Sequence, residues 1–224
     1  MRYLALAADY DGTLATDGVV DGSTVESLRR LSASGRKLIL VTGRQLHDLL
    51  RAFPEAGIFD AVVAENGAVL HRPPSQETRV LAPAPSPRFV EALKGHGVEP
   101  IWVGQAVVAT VQPNETAVID VIRELGLDLQ VILNKGAVMV LPASVNKASG
   151  LRAALAELAL PPQSVVGIGD AENDQAFMAM CGCGVAVANA LDALKVGANH
   201  VTRGEAGAGV REVIDGLIAE DRPR

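Results

Sequence analysis

Aromatic residues are scarce in this chain of 224 residues, of which Phe, Trp and Tyr together make up 3%. Its core must therefore be built from aliphatic side chains, because hydrophobic residues still account for 49% of the sequence. A core of Val, Leu, Ile and Ala is typical of buried parallel β-strands covered by helices. Charged residues make up an ordinary 21%, so the composition is that of a folded protein rather than a disordered one.

Clusters of positive charge are also lacking. The formal net charge is -6, and no dense run of Lys and Arg occurs. Proteins that bind DNA or RNA neutralise backbone phosphates with such clusters, so the sequence argues against a nucleic-acid partner. A local basic pocket for a small anion stays compatible with this charge balance.

The chain has only two cysteines, Cys181 and Cys183. They lie too close together in sequence to act as a stabilising disulfide, and no metal ligands accompany them, so we interpret them as packing residues. The histidines lie singly, without zinc-site spacing, at His47, His71, His96 and His200.

Long hydrophobic runs are absent, and no stretch approaches the length of a membrane span. The apolar run at residues 4–8 ends at Asp9, which makes it too short for a signal peptide. We therefore expect a cytoplasmic protein with no membrane partner.

Apolar runs alternate with helical segments at the beginning of the chain. Strands are predicted at residues 3–8, 37–41 and 58–64, with helices at 23–33 and 45–52 between them. We expect the first helix to begin with a capping box of Ser23 and Glu26. In this β-α-β-α-β order, a parallel sheet with right-handed crossovers is the default.

The pattern changes in the middle of the chain. Several prolines between residues 72 and 87 predict a linker. An α-β-β pattern then occurs twice, with helices near 87–94 and 115–125 and strands near 99–103, 106–111, 128–133 and 137–141. This repeat predicts a small open-faced α+β domain at residues 81–143.

Beyond Pro142 the alternating pattern returns, with helices and strands at 147–158, 165–168, 175–180, 185–187, 200–202 and 210–218. One α/β domain is thus split in sequence into residues 1–80 and 144–224. The predicted fold is a Rossmann-like parallel-sheet core that carries an inserted smaller domain.

Polar residues follow the first predicted strand in the segment DYDGT. Ligands of parallel α/β sheets bind at the carboxyl ends of the strands, where Asp9 and Asp11 can face one cavity. Gly12 allows the backbone to turn and present N–H groups to an anion. An acidic turn without catalytic function is the alternative.

Three further segments lie at comparable places. Thr42 and Gly43 follow the second strand and suit a phosphate contact, or simply a helix cap. Lys147 begins a predicted helix and by itself would be expected to be solvated. Asp170 and Asp174 belong to the segment GDAEND, whose carboxylates suit Mg²⁺, or simply an acidic helix N-terminus.

The four segments together resemble the motifs of the haloacid dehalogenase-like (HAD) superfamily over essentially the whole chain. These motifs are DxDGT, a Ser or Thr at the end of the next strand, a distant Lys, and GDxxxD, and all four are present without substitution. The position of the insertion, with the segments ENGA at residues 65–68 and VNKA at 145–148, resembles the Cof-type (IIB) branch. In that branch the inserted domain is a cap that closes over the core.

The resemblance implies a role for each motif residue. Asp9 is the implied nucleophile that becomes an aspartyl phosphate, and Asp11 the general acid and later the base. Lys147 is implied to neutralise charge on Asp9 and the phosphoryl group. The implied phosphate contacts are Thr42, Gly43, Gly12 and Asn173. The implied Mg²⁺ ligands are Asp9, the backbone carbonyl of Asp11, and Asp170, with Asp174 ligating directly or acting through water or Lys147.

The second aspartate of the first motif narrows the chemistry. Dehalogenases of the superfamily lack it and ion-pumping ATPases carry Thr there, so Asp11 points to a phosphatase, with a sugar phosphomutase or a non-catalytic binding protein as alternatives.

The small cap is similar to that of archaeal phosphoglycolate phosphatases, which implies a phosphoglycolate or sugar-phosphate substrate. Arg44 and Lys135 are candidate leaving-group contacts, although Lys135 is equally expected to be a solvated charge at a hairpin tip. An apolar face of the cap could pair two copies of the chain or merely cover the active site, so a homodimer stays an alternative.

Overall fold

The computed structural model describes residues 2–134 and 136–220. Within them the strands are β1 Ala5–Asp9, β2 Lys37–Val41, β3 Ala61–Ala64, β4 Val69–Arg72, β5 Glu77–Val80, β6 Trp102–Val103, β7 Val108–Val111, β8 Leu129–Asn134, β9 Ala137–Pro142, β10 Val165–Gly169, β11 Cys183–Ala186 and β12 His200–Val201. The α-helices are α1 Gly22–Ala33, α2 Leu46–Ala52, α3 Pro87–Gly95, α4 Glu115–Glu124, α5 Lys147–Glu157, α6 Gln175–Met180, α7 Asp192–Gly197 and α8 Ala206–Ala219.

The large sheet forms the core of the protein, in the order β12-β11-β10-β1-β2-β3-β4-β5. Its strands from β12 to β3 are parallel, which confirms the predicted α/β core. All five residues of β1 are buried, because helices cover this central strand on both faces. The carboxyl ends of β1, β2 and β10 consequently meet at one edge of the sheet.

The predicted proline linker after residue 72 is partly wrong. The chain there turns back and forms β5, which pairs antiparallel with β4 and extends the sheet at its edge. All four residues of β5 are exposed, so this strand has no alternation of apolar and polar residues that could reveal it.

The predicted capping box of Ser23 and Glu26 is also wrong. Helix α1 begins one residue earlier, and its N-cap is Asp21, whose carboxylate accepts hydrogen bonds from the backbone N–H of Thr24 at 2.9 Å and from its hydroxyl at 2.8 Å. Arg211 of α8 donates to the same carboxylate at 2.9 Å. Asp21 therefore connects the first helix with the last one.

The inserted unit forms a second sheet in the order β6-β7-β9-β8, with antiparallel pairing throughout. Helices α3 and α4 pack against it through an apolar cluster that includes Phe89, Leu93, Val118 and Val140. This is the predicted double α-β-β pattern, and it confirms the small α+β cap. The exact bounds at residues 81 and 143 stay a prediction.

The two cysteines are free thiols, both half-buried. Burial, and after it the neighbouring Cys183, raises the pKa of Cys181 to about 12. Its thiol is therefore protonated near neutral pH and poorly reactive, as befits a packing residue.

The longest described helix, α8, has 14 residues. None of the described helices combines the length and the apolar character that crossing a bilayer requires.

Replacing the N-cap of α1 should weaken the fold. Asp21→Ala removes the acceptor for Thr24, so we expect the free energy of unfolding to fall by about 1 kcal/mol in urea titrations. Asp21→Asn is the control, because its amide oxygen can still cap the helix. Equal stability of the Ala variant and the wild type would contradict the role of Asp21.

The contribution of Asp21 should also depend on pH. Although burial acts in the opposite direction, hydrogen bonds from Ser23 and Thr24 hold the pKa of Asp21 below its usual range. A folded-state pKa below the unfolded one means that this stabilisation is present above the unfolded pKa and disappears as the pH falls through the folded one. The stability difference between wild type and Asp21→Ala should therefore shrink in strong acid.

Candidate active site

A cluster of buried charged residues lies where the carboxyl ends of the central strands meet. Asp9 is the last residue of β1, Thr42 directly follows β2, and Asp170 directly follows β10. These residues are buried, and the parallel register of the three strands brings them to the same edge. The structure therefore assembles the motif residues that the sequence placed at separate strand ends.

Lys147 lies inside this cluster rather than in solvent. It is the first residue of α5, and its side chain is only 2% exposed. Its ammonium donates to Asp9 at 2.5 Å and to Asp174 at 2.6 Å. A capping box of Asn146 and Ser149 fixes the start of the helix, so the side chain of Lys147 enters the cluster from a defined position.

The close approach of α5 to the sheet depends on small residues. A Cβ at Gly150 would lie 2.5 Å from the Cα of Gly67 and 2.5 Å from a methyl group of Val63. Gly67 in turn has a φ of +105°, and a Cβ there would collide with the carbonyl of Asn146. These contacts allow Lys147 to reach Asp9.

Asp174 uses both of its carboxylate oxygens. One oxygen accepts from Lys147, and the other accepts from the backbone N–H groups of Asp170 and Ala171, each at 2.9 Å. A Cβ at Gly169 would lie 2.6 Å from the Cβ of Asp174, which explains the glycine before Asp170. Asp174 therefore fixes the loop after β10 as well as the lysine.

Three buried carboxylates are close enough to hold a metal ion. Asp9, Asp170 and Asp174 each offer an oxygen within 4.8 Å of the others. If all three are ionised, they carry three negative charges against the one positive charge of Lys147, which leaves two. A divalent cation with hard oxygen ligands, as Mg²⁺ is, would neutralise this excess, so the residues fit the ion.

The same excess of negative charge affects protonation. Burial and, after it, the neighbouring Asp174 carboxylate raise the pKa of Asp9 well above the usual range of Asp, although Lys147 acts in the opposite direction. Burial lowers the pKa of Lys147, but the attraction of Asp174 and Asp9 outweighs burial and raises it overall. Lys147 is therefore a permanent cation in the cluster.

Asp11 lies at the rim of the cluster and pairs with Arg44. The guanidinium donates to both carboxylate oxygens, at 2.8 Å and 2.7 Å, which is a bidentate ion pair. Arg44 also lies 4.9 Å above the ring of Tyr10. The predicted general acid and the predicted leaving-group contact thus bind each other in this structure.

The predicted phosphate contacts differ in whether their polar groups are available to a ligand. Thr42 is buried, and its hydroxyl accepts from the backbone N–H of Arg44 at 3.1 Å. Gly43 lines the cavity at the cluster. The N–H of Gly12, in contrast, donates to the carbonyl of Ala15 at 2.9 Å, so the local turn uses it instead of offering it to an anion.

Two predicted contacts remain, Asn173 and Lys135. The side-chain amide of Asn173 donates to Asn66 at 3.1 Å. Lys135 falls outside the described residues. The sequence pattern did not single out two further residues of the site, although both belong to the motif segments: Thr13, whose hydroxyl donates to Asp170 at 2.9 Å, and Asn66, whose amide oxygen accepts from Asn173.

A cavity of about 350 Å³ lies between core and cap. Its lining residues are Asp9, Asp11, Gly43 and Arg44 from the core and Asn134, Ala137 and Met139 from the cap. The carboxylates of Asp9 and Asp11 therefore face a half-open space the size of a small molecule.

Comparison with known proteins identifies the family. A family model described as haloacid dehalogenase-like hydrolase matches residues 6–121 and 133–214. The chain belongs to this family. A phosphoglycolate phosphatase of Methanothermobacter thermautotrophicus is 33% identical over 216 residues, which cover 94% of this chain and 96% of that relative. Another, from Halorubrum lacusprofundi, is 32% identical, with 88% and 89% covered.

Solved structures share the fold over both sheets. A haloacid dehalogenase-like hydrolase from Bacteroides thetaiotaomicron superposes with a TM-score of 0.82 at 20% identity, covering 96% of this chain and 99% of the other. A HAD subclass IIB sugar phosphatase superposes with a TM-score of 0.77 at 18% identity, with 95% and 98% covered. The predicted superfamily, its Cof-type branch and the class of enzyme, a phosphatase, are confirmed.

The packing of α5 against the sheet can be tested with one methyl group. Gly150→Ala should lower the free energy of unfolding by about 1–3 kcal/mol, because the added Cβ has no room. Gly216→Ala in α8 is the matched control, since its Cβ meets nothing within 4 Å and should instead stabilise the helix by about 0.5–1 kcal/mol. Chemical denaturation distinguishes the two signs, and a neutral Gly150→Ala would contradict the tight contact.

Proposed function

We propose that this protein is a Mg²⁺-dependent phosphomonoesterase that hydrolyses a small phosphorylated metabolite through an aspartyl phosphate on Asp9. The observation that carries the proposal is the buried contact of one lysine with two carboxylates. Lys147 donates to both Asp9 and Asp174 beneath the cavity, which places a cation beside a potential nucleophile. Aspartate attack on phosphorus needs such neutralisation, because nucleophile and phosphoryl group are both negative.

The metal would complete this neutralisation. Asp9, Asp170 and the backbone carbonyl of Asp11 would hold Mg²⁺, while Asp174 acts through Lys147 and the loop amides that occupy its oxygens. The ion would supply positive charge to the oxygens of the transferring phosphoryl group. Thr13 would orient Asp170 through its 2.9 Å hydrogen bond.

The proposed reaction has two displacements. In the first, the Asp9 oxygen that is not bonded to Lys147 attacks phosphorus, the bond to the leaving oxygen breaks, and Asp11 donates a proton to that oxygen. In the second, Asp11 takes a proton from water, whose oxygen attacks phosphorus. This step releases phosphate and restores the Asp9 carboxylate. Thr42, Gly43 and Asn173 would bind the phosphoryl oxygens throughout.

The size of the cavity and the relatives favour a small substrate. A volume of about 350 Å³ suits a short phosphorylated acid or a sugar phosphate. The relatives named above are phosphoglycolate phosphatases, and one structural neighbour is a sugar phosphatase. These names favour hydrolysis over the phosphomutase alternative. We therefore place phosphoglycolate and related small phosphate esters first among the candidate substrates.

The nucleophile can be tested by a single substitution. Asp9→Asn should lower Mg²⁺-dependent phosphate release by at least about a thousandfold, because removal of a catalytic nucleophile commonly costs more than that. Release would be measured on a panel of phosphorylated acids, sugars and nucleotides, with Mg²⁺ and with a chelator. Asp192→Asn is the matched control, since the Asp192 side chain is fully exposed on α7. An Asp9→Asn protein with wild-type activity would refute the proposal.

Arg44 distinguishes the candidate substrate classes. Among the described residues that line the cavity, Arg44 is the cationic one. If the substrate carries a carboxylate, the Arg44 guanidinium could pair with that carboxylate. Arg44→Met should then lower kcat/KM for phosphoglycolate by about tenfold more than for a neutral sugar phosphate, since it removes a charge-assisted contact. Equal losses for both compounds would show that Arg44 serves only to position Asp11.

A further inference from the structure

Two consecutive residues after β3 adopt a backbone conformation that side chains rarely favour. Glu65 has a φ of +51° and Asn66 a φ of +53°, both in the left-handed region. Both side chains are polar and almost completely buried, at 1% and 0% exposure. Such strained residues persist only where their surroundings hold them in place, and they concentrate at functional sites.

The backbone of this turn is attached to the predicted phosphate-binding loop. The N–H of Glu65 donates to the carbonyl of Arg44 and the N–H of Asn66 to the carbonyl of Thr42, each at 3.0 Å. A Cβ at Gly43 would lie 3.3 Å from both polar atoms of the Asn66 amide. The turn therefore lies directly against residues 42–44.

The side chain of Glu65 extends to the cap. Its carboxylate accepts from three successive backbone N–H groups, those of Gln105 at 3.0 Å, Ala106 at 2.8 Å and Val107 at 3.1 Å. These residues connect β6 with β7. A Cβ at Gly104 would lie 2.7 Å from the carboxylate, so the connection approaches Glu65 as closely as a glycine allows. One buried charge thus holds the β6–β7 hairpin against the core.

The side chain of Asn66 makes a second link. Its amide nitrogen donates to the sulfur of Met139 on β9 at 3.0 Å, and its amide oxygen accepts from Asn173 at 3.1 Å. Asn173 belongs to the loop that also carries Asp170 and Asp174. Asn66 therefore contacts the cap, the loop after β10 and, through its backbone, the loop after β2.

We propose that the turn at Glu65 and Asn66 is a positioning unit, which sets Asn173 for phosphate binding only when the β6–β7 hairpin of the cap is seated on Glu65. Glu65 binds the hairpin, and the adjacent Asn66 places the amide of Asn173. Movement of the hairpin is thereby transmitted through two neighbouring residues to the phosphate pocket. The phosphate-binding role of Asn173 rests on the proposed function, whereas the link itself does not.

The first measurement tests whether Glu65 holds the hairpin. Glu65→Gln replaces one acceptor oxygen by an NH₂ group that faces backbone donors. Hydrogen exchange of the amides of residues 105–107 should accelerate by about tenfold or more, the effect of losing a hydrogen bond to a charged acceptor. Glu91→Gln, an exposed neutralisation on α3, should leave this exchange unchanged. Unchanged exchange in Glu65→Gln would overturn the proposal.

The second measurement tests transmission to the phosphate pocket. In ¹⁵N-labelled protein without ligand, the side-chain NH₂ resonances of Asn173 should shift in Glu65→Gln and stay in place in Glu91→Gln. A purely structural role of Glu65 would loosen the hairpin and leave these resonances unmoved, and that result would overturn the proposal. Because neither measurement requires turnover, both retain their meaning even if the protein shows no phosphatase activity.

A second variant covers the case in which Glu65→Gln does not fold, as judged by circular dichroism. Gly104→Ala leaves Glu65 intact and displaces the hairpin with one methyl group. It should produce the same faster exchange at residues 105–107 and the same shift of the Asn173 resonances. Faster exchange with unshifted Asn173 resonances would contradict the coupling.

Discussion

The arrangement of the core depends on one buried ammonium group between two carboxylates. Ions are expensive to remove from water, and a buried ion pair is tolerated only with close geometry and further hydrogen bonds. Lys147 meets this condition through Asp9 and Asp174, and Asp174 is in turn held by two backbone N–H groups. The glycines at 67, 150 and 169 follow from this requirement, because each allows an approach that a Cβ would prevent.

The cavity belongs to neither sheet alone. Core residues supply the charged groups, while Asn134, Ala137 and Met139 of the cap line the opposite side of the space. An apolar cluster that includes Ala68, Ala106, Leu141 and Val145 joins the two parts, and Glu65 adds hydrogen bonds from three backbone N–H groups to the same junction. Exclusion of water by the cap would strengthen the electrostatic interactions beneath it.

Parts of the site could be predicted from local sequence alone. The strand that ends at Asp9 and the strands that end just before Thr42 and Asp170 are short apolar runs followed by polar residues, and parallel strands bring such ends together. Lys147 could be identified only through the resemblance, because it lies 138 residues from Asp9 and a single lysine at a helix start has no distinctive pattern. The ion pair of Asp11 with Arg44 depends on three-dimensional proximity that spacing does not reveal.

Other features had no signal in the sequence pattern. Strand β5 is exposed along its whole length, so only its pairing with β4 defines it. Asp21 caps α1 although Ser23 offered an equally good capping residue by type, and the contact of Asp21 with Arg211 of α8 is not visible in the local sequence. Glu65 belongs to the segment ENGA, which resembles the Cof-type branch. The hydrogen bonds that its carboxylate accepts from residues 105–107, however, depend on how the cap packs on the core.

The central claim, that the buried lysine prepares Asp9 for covalent attack, is tested most directly by trapping the intermediate. Asp11→Asn should still accept the phosphoryl group from an activated phosphate ester but should hydrolyse the acyl phosphate slowly, because the base of the second displacement is missing. After acid quench and digestion, mass spectrometry should find one phosphoryl group on the peptide that contains Asp9. Phosphate release without any phosphorylated Asp9 would contradict the account.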